Sequence, residues 1–124
     1  MGDKILVVED EKDIRELIAF TLRFGGLEVE EAPNGEVGIA RALEIKPRLI
    51  LMDVRMPRVT GFEACEILKA NAETRDIPIV FLSAKGQNAE IQRGMEIGAI
   101  AYILKPFAPD VLLEKVKSIL AEQE

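Results

Sequence analysis

Two hydrophobic periods alternate along the chain. Short apolar runs rich in β-branched residues fall at Ile5–Val8, Leu27–Glu31, Leu49–Met52, Ile77–Leu82 and Ala99–Leu104. Between them, apolar positions recur at helical spacing. The first such stretch is the clearest, with Ile14, Leu17, Ile18, Thr21 and Leu22 at i, i+3, i+4, i+7 and i+8, ended by Gly25-Gly26. A second helix is expected from about Gly35 to Leu43, stopped before Pro47. A third opens on Thr60-Gly61-Phe62-Glu63, where a hydroxyl and a carboxylate three residues apart satisfy free backbone amides. The fourth, near Asn88–Ile97, carries a weak apolar stripe and an internal Gly94. The last has Pro109 near its start, then Leu112, Leu113, Val116, Ile119 and Leu120.

Five strand–helix units in succession predict an α/β chain, (βα)5, whose parallel sheet is covered on both faces by right-handed crossovers. Leu49-Ile50-Leu51-Met52 and Ile79-Val80-Phe81-Leu82 are apolar without alternation, as suits strands buried on both faces. No repeat, linker or low-complexity tract interrupts the pattern, so residues 1–124 read as one domain. A leading methionine and a last helix that finishes near the end lead us to expect a free-standing unit. Cys65 shares a helical face with Phe62 and Leu68 and reads as a buried structural thiol. Met52 and Met95 read as core filler.

Composition narrows the chemistry. The 124 residues include no histidine, no tryptophan and one cysteine. This excludes Ser-His-Asp or Cys-His catalysis, imidazole metal ligands, an internal disulfide and any multi-cysteine metal site. Whatever chemistry occurs must use carboxylates, lysines, arginines and hydroxyls. A net charge of −6 argues against direct nucleic-acid binding. No apolar run approaches the roughly 20 residues of a membrane span, and the opening run is too short for a signal peptide. With a single unpaired cysteine, a reducing cytoplasm is the expected setting, with no membrane partner.

In open α/β sheets, ligands bind beyond the carboxyl ends of the strands. The first run is followed by Glu9 and Asp10, the third by Asp53, the fourth by Ser83, and the fifth by Lys105-Pro106. Any one of these alone reads as a solvated loop residue; the set does not. Three crowded acids repel, and at neutral pH they need a cation or proton uptake. Oxygen-only ligands suit Mg²⁺ best, and Mg²⁺ on few carboxylates usually accompanies a phosphoryl group. A carboxylate can itself be the nucleophile that becomes an aspartyl-phosphate, with a metal, Lys105 and Ser83 neutralising the phosphoryl oxygens. Glu11 and Asp13 read instead as acids favouring a helix N-terminus.

Glu9-Asp10, Asp53 with Met56-Pro57 and Gly61, Ser83-Ala84, and Lys105-Pro106-Phe107 together resemble the receiver domain of two-component response regulators, from Lys4 to Leu120. The resemblance implies a flavodoxin-like three-layer sandwich with strand order 2-1-3-4-5. It implies Asp53 as phosphoacceptor and Glu9, Asp10, Asp53 and the Arg55 backbone carbonyl as ligands of Mg²⁺ (or Mn²⁺). Ser83 would be the switch hydroxyl, Tyr102 the switch aromatic and Lys105 the phosphoryl contact, with Pro106 following a cis bond. The phosphodonor would be a sensor histidine kinase or a histidine phosphotransfer protein. The output would pass to a downstream protein through the face made by the fourth helix, fifth strand and fifth helix.

Two departures qualify the pattern. Arg55 and Lys85 occupy the positions that tune phosphoryl lifetime in this family; both are basic, and a long-lived aspartyl-phosphate is expected. Winged-helix regulators of the family often carry two acids just before the switch aromatic that serve their dimer. Here these are Ile100 and Ala101, so a monomer or weak dimer is expected. An aspartyl-nucleophile phosphatase is the alternative, but it needs a second aspartate two residues after the nucleophile, where Arg55 stands. A flavodoxin-like electron carrier would need a Ser/Thr/Gly-rich phosphate loop where Glu9-Asp10-Glu11 stands. A partner-binding pseudo-receiver would not need the complete set of acids, Ser83 and Lys105.

Overall fold

The computed structural model describes residues 4–84 and 86–123. Five strands alternate with five helices: β1 Lys4–Val8, α1 Lys12–Phe24, β2 Glu28–Ala32, α2 Gly35–Ile45, β3 Leu49–Asp53, α3 Gly61–Ala70, β4 Ile79–Ser83, α4 Asn88–Ile97, β5 Ala101–Leu104 and α5 Pro109–Glu122. All pairings are parallel and the strand order is β2-β1-β3-β4-β5. The chain thus winds outward from β1 in one direction and from β3 in the other. The strand order reverses between β1 and β3, which opens a crevice at their carboxyl ends.

The unalternating apolar runs are explained by two cores. Successive side chains point to opposite faces. Ile5, Val7, Leu49, Leu51, Val80 and Leu82 face one way and pack on Ile18 and Leu22 of α1 and Leu112, Val116 and Ile119 of α5. Leu6, Val8, Ile50, Met52, Ile79 and Phe81 face the other way, against Ala42 of α2 and Ala64, Cys65 and Leu68 of α3. Every residue of β3 and β4 is buried, Asp53 and Ser83 included.

Local chemistry sets the helix ends. Thr60 and Glu63 form the reciprocal capping pair at α3, with Oγ1 of Thr60 accepting from Glu63 N (3.2 Å) and Oε1 of Glu63 accepting from Thr60 N (3.0 Å). Asn34 Oδ1 accepts from Val37 N (2.8 Å) at α2. That helix runs two residues beyond expectation, to Ile45, and Lys46 leaves it in the left-handed conformation ahead of Pro47. Strand β4 starts two residues later than the apolar run, because Pro78 has no N–H to give the ladder.

Cys65 is buried, as its helical face predicts, and burial pushes its thiol up to about 11. Met52 lies in the core, but Met95 does not: it is 43% exposed. The inner face of α4 is carried by Gly94 instead, packed so closely that a Cβ there would lie 2.9 Å from Cε2 of Tyr102 and 3.0 Å from Cδ2 of Phe81. Helical spacing alone cannot say which stripe a close-packing glycine selects.

Candidate functional site

The carboxyl ends of β1, β3, β4 and β5 are drawn to one rim by backbone bonds that outlast the strands. Glu9 N donates to Ala32 O (3.1 Å), Val54 N to Leu82 O (3.0 Å) and Lys105 N to Ser83 O (2.8 Å). The residues just after β1 and at the ends of β3 and β4 are therefore held as firmly as the ladder itself. Gly61 N donates to Val54 O (2.9 Å), which seats the start of α3 against the end of β3.

At this rim Glu9, Asp10 and Asp53 each present a carboxylate oxygen, all within 4.8 Å of one another. Glu9 is fully buried, Asp53 nearly so and Asp10 exposed. Lys105 Nζ lies 2.6 Å from Oε1 of Glu9 and 3.5 Å from Oδ1 of Asp53. Burial, then the charge of Asp53, hold the Glu9 carboxyl well above the usual range, although Lys105 opposes the rise. Burial alone would lower Lys105, but the Glu9 hydrogen bond and the Asp53 charge outweigh it and raise it. One ammonium thus serves two carboxylates while the third faces solvent. Among the described residues the cluster is under-neutralised, and its ligand atoms are all oxygens. This fits a hard divalent ion that keeps several waters.

Around the cluster lie the other residues singled out by the sequence. Arg55 N donates to Oδ1 of Asp53 (3.4 Å), which turns the start of the β3–α3 loop around that carboxylate. The Arg55 side chain reaches Glu90 on α4 (3.4 Å). Ser83 is buried and its Oγ donates to Oε2 of Glu90 (3.1 Å). The Lys105–Pro106 peptide is cis. Lys85 lies outside the described residues.

Tyr102 is half-buried on β5, edge-on to Phe81 at 5.8 Å. Its hydroxyl is buried and makes no hydrogen bond of good geometry among the described residues, though Ser83 and Glu90 lie close enough to act on it. Burial, then the Glu90 charge, push its pKa up to about 12. Phe81 in turn meets Phe62 edge-on at 5.1 Å, and the Arg93 guanidinium sits over Phe62 at 5.5 Å. Tyr102 is thereby tied through one aromatic chain to β4, α3 and α4.

Two residues of this neighbourhood carry no sequence signal. Glu90 sits on a helix rather than at a strand end, and its reach to Ser83 depends on how α4 packs. Arg15 Nη1 donates to the Glu9 carbonyl (2.9 Å) while Nε pairs with Glu31 (3.3 Å), which braces the first acidic turn against β2.

The chain matches the family of the response regulator receiver domain over residues 5–117 and belongs to it. It is 41% identical over 120 residues to the phosphate regulon transcriptional regulatory protein PhoB of Klebsiella pneumoniae, covering 97% of this chain and 52% of that protein. It is 35% identical over 117 residues to the DNA-binding dual master transcriptional regulator RpaA of a Synechocystis strain, covering 94% and 48%. The chain spans about half the length of these curated relatives. Among solved structures, the chemotaxis protein CheY4 of Vibrio cholerae superposes with a TM-score of 0.91 at 32% identity, covering 96% of this chain and 99% of that one. The beryllofluoride-activated receiver domain of DrrB gives 0.87 at 29%, covering 98% and 99%. The flavodoxin-like fold and strand order implied by the sequence resemblance are those observed. The chain is a receiver domain of the two-component type, consistent with a phosphoacceptor signalling switch. No helix among the described residues is long and apolar enough to cross a membrane.

Proposed function

We propose that Asp53 is the phosphoacceptor and that the chain is a single receiver unit. The observation that carries this is the convergence of Glu9, Asp10 and Asp53 within 4.8 Å, with Lys105 bound across two of them. A carboxylate oxygen of Asp53 attacks the phosphorus of the donor. The donor's P–N bond breaks, for a phosphohistidine, and the imidazole leaves as the acyl phosphate forms. Because these 124 residues contain no histidine, the donor imidazole lies outside them, on a sensor histidine kinase or a phosphotransfer unit.

Glu9, Asp10, Asp53 and the Arg55 carbonyl would hold Mg²⁺ or Mn²⁺, which when bound offsets charge on the phosphoryl oxygens. Lys105 supplies a fixed positive charge on the same side. Ser83 donates its hydroxyl to a phosphoryl oxygen, and Tyr102 follows the vacated space. The face of α4, β5 and α5 then changes and controls a downstream protein. Ile100, Leu104, Met95 and Val111 already expose apolar surface there. The chemistry is confined to the protein's own phosphorylation and dephosphorylation, in the cytoplasm, without direct contact with nucleic acid. Arg55 and Lys85 offer no acceptor to orient an attacking water, so the acyl phosphate is long-lived.

Acetyl phosphate with Mg²⁺ tests the reading. Wild type gains about 80 Da by intact mass, the mass of one phosphoryl group, and Asp53→Ala does not. Multiple turnover of a phosphomonoester, with no stable adduct, would instead indicate a phosphatase. An Arg55→Asn, Lys85→Glu double variant should lose its phosphoryl group faster than wild type; slower loss contradicts the long lifetime.

A further inference from the structure

Glu90 spends both carboxylate oxygens on the two side chains that flank the acidic cluster. Oε2 accepts from Ser83 Oγ at 3.1 Å, and Oε1 faces Arg55 Nη2 at 3.4 Å. Its side chain is only 12% exposed and Ser83 is buried, so the Ser83 contact is shielded from water, whereas the Arg55 side chain is 60% exposed and its contact is screened. It stands in the first turn of α4, the helix whose Gly94 packs on Phe81 and Tyr102. Its charge also reaches the Tyr102 hydroxyl, which has no hydrogen bond of good geometry among the described residues.

We propose that Glu90 is a positioning residue that competes with the phosphoryl group on Asp53 for the Ser83 hydroxyl and the Arg55 guanidinium. The inference rests on Asp53 as phosphoacceptor and adds to it the residue that sets the switch threshold. The Ser83 hydroxyl has one proton, which goes to Glu90 or to a phosphoryl oxygen but not to both. Arg55 presents its charge to a carboxylate or to the incoming dianion. Forming the phosphorylated state therefore releases α4 from the ends of β3 and β4. By linkage, releasing α4 favours the phosphoryl group by the same factor. A carboxylate in a first helical turn is favourable for the helix in any case, so stability alone cannot diagnose this role. The diagnostic is dependence on Ser83 and Arg55.

The experiment titrates beryllofluoride, a phosphoryl mimic, into the protein with Mg²⁺, followed by ¹⁹F NMR. It compares wild type, Glu90→Ala and Glu90→Gln, each with native Ser83 and Arg55 and in a Ser83→Ala, Arg55→Ala background. Glu90→Ala should bind about tenfold tighter, the scale of one charge-assisted hydrogen bond released. In the double background the gain should vanish. Glu90→Gln, which keeps the shape and an acceptor oxygen, should gain less and serves if the alanine variant folds poorly. Unchanged or weaker binding overturns the proposal. A gain that persists without Ser83 and Arg55 also overturns it, because it would reflect only a negative charge removed near an anion. If wild type neither binds beryllofluoride nor takes up phosphoryl from acetyl phosphate, the phosphoacceptor reading itself fails. If both occur while the Glu90 variants match wild type, only this inference fails.

Discussion

Gly61→Ala is the sharpest single perturbation of the site, because it adds one methyl group where two backbones nearly touch. A Cβ at Gly61 would lie 2.3 Å from the Asp53 carbonyl oxygen, 2.9 Å from Val54 Cα and 3.1 Å from Asp53 C. Contact distance for such atoms is about 3.5 Å, so the start of α3 must retreat by roughly 1 Å. Neither side can yield freely. Gly61 N is bonded to Val54 O at 2.9 Å, and Val54 N to Leu82 O at 3.0 Å. Overpacking of this kind costs about 1–3 kcal/mol, and rigid backbone on both sides places this case at the upper end. Alanine recovers about 0.5–1 kcal/mol by restricting the unfolded chain, which leaves a net loss of about 2 kcal/mol. For a chain of 124 residues, that lowers Tm by roughly 8 °C.

The control is Gly26→Ala. Nothing lies within 4 Å of that Cβ, but the residue sits at φ +92°, so the cost is conformational, about 1 kcal/mol. Calorimetry or thermal circular dichroism gives the stabilities, and Mg²⁺ titration gives the second readout. Gly61→Ala displaces the Asp53 backbone and should weaken Mg²⁺ several-fold, whereas Gly26→Ala should leave Mg²⁺ affinity unchanged. A Gly61→Ala protein within about 2 °C of wild type and with unchanged Mg²⁺ affinity would refute the claim that this close approach positions Asp53.

Lys105→Met leaves the buried Glu9 without its ammonium. Breaking such a pair costs about 3–5 kcal/mol with the acid ionised. The folded Glu9 pKa is already raised and rises further in the variant. Stability is thus retained at acidic pH, where Glu9 is protonated, and lost as pH climbs through that raised value. Urea midpoints of the metal-free variant should fall between pH 5 and pH 8 more steeply than those of wild type. Gly94→Ala drives a methyl into Tyr102 and Phe81 and should cost about 1–3 kcal/mol. With one tyrosine and no tryptophan in the chain, intrinsic fluorescence reports the displaced Tyr102 ring directly. Cys65, with its thiol pushed up to about 11, should resist a disulfide reagent at pH 8 in the folded state and react only at the rate of opening; rapid stoichiometric labelling would contradict the burial.

Strand positions were legible because β1, β3 and β4 are buried on both faces, which leaves nearly unbroken apolar runs such as Leu49–Met52. The strand-end rule then located Glu9, Asp10, Asp53, Ser83 and Lys105, since a parallel sheet brings every carboxyl end to one rim whatever the helices do. Capping at Thr60 and Glu63 was equally local. Met95 was misplaced because a helical stripe does not reveal that Gly94 is the residue packed against Phe81 and Tyr102. Glu90 and Arg15 were invisible because each acts across a gap closed only by packing. The sequence by itself determined the periods, the strand ends and the stock of oxygen donors, all of which depend on residues within a few positions of one another. Only the tertiary structure decided which charges meet. Lys105 finds Glu9 across 96 positions and Glu90 finds Ser83 from another element. Such pairings are set by the distance between packed backbones, which no local pattern encodes.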